Sequence, residues 1–167
     1  MTMLSLWLTA LPAMLAMALG VWALATARRN AGLVDIFWSG FFLAGAALYA
    51  AASPAFKERA LLVLVLVAVW ALRLSVYLAA RNWNAPEDHR YRAIRERNDP
   101  GFAWKSIYLV FGLQAVLAWL ISAPLAASID SAAPIGALDA LGATLAVFGI
   151  VFETLADAQL ARFKAES

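Results

Sequence analysis

At 167 residues, 64% hydrophobic and 14% charged, with a mean hydropathy of +0.76, the chain has too few polar side chains to cover a soluble globule and reads as an integral membrane protein. Its net charge of +2 does not imply a nucleic-acid partner, because the basic residues flank apolar stretches, where they serve to orient a membrane protein. The absence of cysteine excludes disulfides, iron–sulfur clusters and cysteine-ligated zinc.

Five apolar stretches approach the roughly 20 residues needed to cross hydrocarbon: Leu4 to Ala27, Leu33 to Ala52, Ala60 to Ala80, Trp104 to Ala127 and Gly136 to Leu160. The expected fold is all-α, a polytopic transmembrane helical bundle of about five spanning helices forming a single domain over residues 1–167. The first stretch fits a span better than a secretory signal, since no Lys or Arg precedes it and it exceeds a signal's apolar core. With five spans, ten of the thirteen Lys and Arg fall on one side, only Lys57 and Arg59 on the other, and Arg73 within a span. That bias predicts the amino terminus outside and the carboxyl terminus in the cytoplasm, as in a bacterial inner membrane.

In chain order, the first helix carries no chemistry and serves packing or lipid contact. The turn ARRNAGLVD supplies Arg28, Arg29 and a helix-breaking Asn-Ala-Gly, then places Asp35 just inside the second span. A carboxylate there is either a helix-start partner or a functional group at the edge of hydrocarbon. The second helix has Gly40 and Gly45 beside small residues, a pattern for close helix approach. It lacks the spacing of a dinucleotide fingerprint. On the third helix, Trp70, Arg73, Tyr77 and Arg81 recur at spacings of three and four, so two guanidiniums and a phenol share one face. Arg73 either snorkels or pairs within the protein, with Glu153 or Asp157, or else binds an anion such as phosphate.

The following loop, RNWNAPEDHRYRAIRERNDPGFAWK, is the densest polar segment. Arg92, Arg95 and Glu96 suit a short amphipathic helix at the interface, most of whose charges are a solvated, salt-bridged face. His89 is the sole histidine, so no transition-metal site is expected. The fourth helix carries Gln114 as its one strongly polar interior residue, suited to an interhelical hydrogen bond. The fifth ends in FETLADAQLARFKAES, where Glu153 and Asp157, four apart, repel unless paired. The Arg73 and Arg81 face is their candidate partner.

Taken together, NAGLVDIFW, WALRLSVYLAAR, EDHRYRAIRER, LQAVLAWLISAPL and FETLADAQLARFKA resemble, from about Asn30 onward, the bacterial branch of the steroid 5-alpha-reductase-like membrane proteins. The resemblance implies a multi-span oxidoreductase that uses NADPH to reduce a carbon–carbon double bond conjugated to a carbonyl in a steroid-like or other lipid-like substrate. It implies that Arg73, Tyr77 and Arg81 lie along the cofactor and that Asp35 approaches the substrate. Relatives continue beyond the RFKA segment into an Arg-His-Pro-Asn-Tyr region that completes the cofactor site. The 167 residues therefore look like the amino-terminal part of a reductase, and the expectation is that they do not turn over substrate alone.

The competing expectation is a non-catalytic membrane protein whose basic cytoplasmic face binds anionic lipid or a partner subunit, at about 1 kcal/mol per Lys or Arg. A transporter is disfavoured because no inverted repeat or pair of broken helices is evident.

Overall fold

Five helices that are long and apolar enough to cross a membrane dominate the computed structural model, at Met3–Ala27, Ala31–Ala52, Glu58–Asn82, Phe102–Ile121 and Ala137–Glu166. The structure describes residues 2–53 and 58–166. It is a helical, multi-pass membrane architecture with no strand among the described residues. Lys57, one of the two basic residues expected on the outer side, lies outside them. The chain divides into two compact units, Met1–Ala132 and Ala133–Ser167.

In the first unit, the opening span is built from α1 (Met3–Leu8) and α2 (Ala10–Ala27). The break at Thr9 follows from Pro12, which has no N–H to return to the Leu8 carbonyl. This helix is more than lipid-facing cover. Trp7 stacks on Trp119 with centroids 4.0 Å apart, and each indole N–H donates to the other residue's backbone carbonyl, at 2.9 and 3.0 Å. The span ends on Arg29, whose φ is +53°. The Asn30 N–H returns to the Ala25 carbonyl at 2.9 Å and the Arg29 N–H to Thr26 at 3.1 Å, the paired bonds of a Schellman end. Asn30 Oδ1 then accepts from the Gly32 N–H at 3.0 Å and starts a single 3₁₀ turn, Ala31–Leu33, that leads into α3 (Val34–Ala52).

Helix α4 (Glu58–Asn82) runs antiparallel to α3. The two are stitched by Ser39 donating to the Ala71 carbonyl at 3.0 Å and Ser75 donating to Ile36 at 2.8 Å. On another face of α3, a Cβ added at Gly40 or Gly45 would meet Met17 Cε at 2.9 Å or Met14 Cε at 2.6 Å. The small residues of this helix thus let the α2 methionines approach its backbone.

The polar loop folds into α5 (His89–Asn98), capped by Asp88, whose carboxylate accepts from the Arg90 N–H at 2.9 Å. The fourth span comprises α6 (Phe102–Ser106), a π-helical segment over Ile107–Gly112, and α7 (Leu113–Ile121). It ends earlier than the expected Ala127. Pro124 cannot donate to the Leu120 carbonyl, so the helix stops and restarts as α8 (Ala123–Ile129). At the break, the Ser122 hydroxyl donates to the Trp119 carbonyl at 2.7 Å and lies 2.7 Å from the Tyr49 hydroxyl.

The π segment depends on Gly112, because a Cβ there would sit 2.8 Å from the Ile107 carbonyl oxygen, a backbone atom that cannot step aside cheaply. Gly112→Ala is expected to lower stability by about 1–3 kcal/mol in thermal unfolding of the detergent-solubilised protein. Reversion of the segment to a regular α-helix would rotate Gln114 away from its present neighbours.

The second unit is α9 (Ala137–Glu166), a single 30-residue helix with the preceding short turn. Its Gly136 N–H donates to Asp139 Oδ2 at 2.8 Å. Glu153 and Asp157 stand one turn apart on this helix.

Candidate functional site: a phenol, a carboxylate and an amide at the basic end of the first unit

Helix α5 folds back over the starts of α3 and α6, and the contacts that seat it are polar. Glu87 holds the loop. Its carboxylate accepts two hydrogen bonds from Arg95, Nε at 2.9 Å and Nη2 at 2.7 Å, and a third from the Ala31 N–H at 2.7 Å. Burial alone raises the pKa of Glu87. The Arg95 and Ala31 hydrogen bonds and the charges of Arg95 and Arg92 outweigh that effect and leave it below the ordinary carboxylate value. Arg95 also lies over the Phe102 ring at 4.5 Å. Nearby, Asn30 Nδ2 donates to the Ala85 carbonyl at 3.1 Å, and the Arg28 guanidinium covers Trp83 at 4.4 Å. The loop between α4 and α5 is therefore bound to the 3₁₀ turn at both ends.

This seating carries Tyr91 inward. Its side chain is 7% exposed, and its ring lies against Gly32, where an added Cβ would approach Tyr91 Cδ2 to 3.4 Å. The phenol donates to Asp35 Oδ1 at 2.6 Å and accepts from Gln114 Nε2 at 3.2 Å. The hydrogen-bond direction is fixed by this arrangement: the amide donates to the phenol, and the phenol donates to the carboxylate. Burial first, then the Asp35 hydrogen bond and charge, push the Tyr91 pKa far above its ordinary value, so the phenol keeps its proton.

Asp35 is the open end of the chain. Its side chain is 28% exposed, and Arg90 Nη2 reaches Oδ2 at 3.3 Å. Arg90 is shared with Asp88 through Nε at 3.0 Å; hydrogen bonds from the Arg90 side chain and backbone N–H hold the Asp88 pKa low. Asp35 is thus neither a simple helix cap nor an isolated acid. It ties α3 to α5 directly and, through the Tyr91 phenol, to Gln114 of the fourth span.

A family model described as a protein of unknown function, DUF1295, matches residues 21–167. The chain belongs to the DUF1295 family. No curated protein and no solved structure matches it.

In this DUF1295 chain, the other residues singled out from the sequence sit on α4. Tyr77 and Arg81 are together, the guanidinium 5.4 Å from the ring centroid, with Arg81 Nε donating to Asn82 Oδ1 at 2.9 Å. Arg73 is half-buried two turns earlier, about 12 Å along the axis from Arg81 at 1.5 Å per residue. Gln114 makes an interhelical hydrogen bond, and its partner is the phenol of α5. Tyr91 was missed by motif reading. The signal was present in the helix period: Tyr91, Ile94 and Arg95 lie at spacings of three and one, on the side of α5 opposite Arg92, Glu96 and Arg97. That spacing marks an inward face without revealing what it meets.

Proposed function

We propose that this DUF1295 protein is a membrane reductase of the steroid 5-alpha-reductase type, acting with NADPH on a carbon–carbon double bond conjugated to a carbonyl in a lipid-like substrate. The observation that carries the reading is the directed chain from Gln114 through the buried Tyr91 phenol to the part-exposed Asp35 carboxylate. Reduction of such a substrate develops negative charge on the carbonyl oxygen. A fixed donor at that oxygen is what a site of this kind must supply.

Tyr91 suits the task because it retains its proton and cannot rotate freely between Gly32 and its two polar partners. Gln114 occupies the phenol's acceptor side and so directs the O–H outward, toward Asp35. A carbonyl oxygen arriving at the open edge of Asp35 would compete for that proton. Asp35 and Arg90 would hold the local charge balance as the proton is shared. The lipid-facing walls of the spans suit an apolar substrate that partitions from the bilayer.

NADPH, when bound, would supply the hydride. The chemistry of the α4 side chains fits a phosphate-bearing ligand: Arg81 and Arg73 offer guanidiniums that bind phosphate oxygens in pairs, and the Tyr77 ring offers a flat surface for stacking. These three residues are the proposed cofactor contacts.

The test is nucleotide binding by the protein expressed from its native reading frame and reconstituted in lipid nanodiscs. Arg73→Ala and Arg81→Ala are each expected to weaken NADPH at least tenfold, while Lys105→Ala, whose ammonium donates to the Asn98 carbonyl at 2.8 Å, leaves it unchanged. Equal NADPH affinity in wild type and both arginine variants would remove the cofactor assignment.

A further inference from the structure

A second site lies on the other side of the 3₁₀ turn, between the end of the first span and the start of the fourth. A cleft of about 230 Å³ opens there, lined among others by Thr26, Arg29, Arg95, Phe102, Ser106 and Phe111. It uses no residue of the Gln114–Tyr91–Asp35 chain, and its argument does not depend on the reductase reading.

Four features define what it can take. First, the depth is set by the spans, since Thr26 is one residue from the end of one and Phe102 begins another, which places the cleft where headgroups meet acyl chains. The flanking indoles agree: Trp22 and Trp104 pack at 5.4 Å, and Trp22 Nε1 donates to the Ala103 carbonyl at 2.7 Å, an interfacial aromatic pair. Second, the lining is mixed, with the hydroxyls of Thr26 and Ser106 and the guanidiniums of Arg29 and Arg95 beside the apolar Phe102, Phe111 and Ala25.

Third, the two guanidiniums that line the cleft differ. Arg95 is neutralised by Glu87 at 2.7 Å, whereas the exposed Arg29 guanidinium forms no ion pair or hydrogen bond with any described residue. Fourth, Arg29 occupies left-handed backbone, φ +53°, at the position where a helix end of this type ordinarily has glycine. A bulky residue at this strained position points to work for its side chain.

We propose that this cleft binds the headgroup of an anionic phospholipid, with the phosphodiester against Arg29, supported by the Thr26 hydroxyl, and an acyl chain along Phe102 and Phe111. A phosphodiester monoanion matches the cleft's Arg29 guanidinium, which has no ion pair among the described residues, and the apolar lining suits a lipid rather than a soluble phosphate.

The experiment titrates the full chain, purified in a neutral detergent, with phosphatidylglycerol, phosphatidylcholine or inorganic phosphate and follows tryptophan emission, since Trp22, packed on Trp104, hydrogen-bonds Ala103, which lines the cleft. Saturable binding of phosphatidylglycerol at least fivefold tighter than phosphatidylcholine is expected. It should be lost in Arg29→Gly, which removes the charge while relieving the backbone, so its melting temperature should be unchanged or higher. Arg29→Lys should retain part of the preference, and Arg92→Ala and Arg97→Ala, outside the cleft, all of it. Equal binding of the two lipids, displacement of the lipid by inorganic phosphate at comparable concentration, or an equal loss in Arg92→Ala would each overturn the proposal, the last by showing a diffuse basic surface.

Discussion

Tyr91→Phe is expected to lower the turnover of a lipid-soluble conjugated enone by about 10²-fold or more, the usual range for losing a positioned proton donor, with a smaller effect on substrate affinity. The substitution keeps the ring against Gly32 and removes only the hydroxyl that links Gln114 to Asp35. Its fold should therefore survive, at a cost of about 1–2 kcal/mol for the broken hydrogen bonds. Consumption of NADPH by the native-frame protein, compared with melting temperature, separates the two effects. Asp35→Asn should fall in the same range, because the amide cannot take the carboxylate's part in balancing Arg90. Wild-type turnover in the Phe variant would refute the assignment of the phenol, leaving Asp35 to be judged by its own variant.

Glu87→Ala is expected to be the most destabilising single change in the polar loop, by about 2–4 kcal/mol. Glu87 is 10% exposed and faces Arg95 at 29%, so its loss strands a half-buried guanidinium and the Ala31 N–H together. The pH dependence has a defined sign. Because the folded-state pKa of Glu87 is lowered, the unfolded chain binds more protons in acid. The stabilisation is then complete above the unfolded carboxylate value of about 4.3, and it is lost as pH falls through the folded value. Asp88, lowered in the same direction, steepens the same acid limb. Unfolding followed from pH 7 to pH 3 should show wild type losing stability below about pH 4.3, with a shallower loss in Glu87→Gln. An identical acid limb in both proteins would mean that this carboxylate does not carry the linkage. In a double-mutant cycle with Arg95→Ala, a coupling of about 0.5–3 kcal/mol is expected.

The spans were legible in the sequence because hydrocarbon imposes a length and a composition on any segment that crosses it: the first three agree with the expectation within two residues at both ends, while the fifth, α9, runs on past Leu160 to Glu166. The fourth span ends at Ile121 rather than at the expected Ala127. The missing consideration was local: Pro124 withholds the N–H that would have carried the helix past Ser122. Asp35 and Gln114 were also legible as individual residues, since a carboxylate or amide set in an apolar run stands out whatever surrounds it.

Composition and periodicity, by themselves, thus determined a helical membrane protein with a crowded basic loop, because hydrophobicity and helical spacing are properties of consecutive residues. Tertiary structure decided that Glu87 anchors that loop to the turn after the first span, that Tyr91 enters between Asp35 and Gln114, and that Arg29 lines a cleft without an ion pair to any described residue. Each of these joins groups separated by between 23 and 56 positions in the chain or left apart by every local pattern. A hydrogen bond at 2.6 Å is specified by where helices come to rest against one another, and that depends on packing and loop length rather than on the identity of either partner.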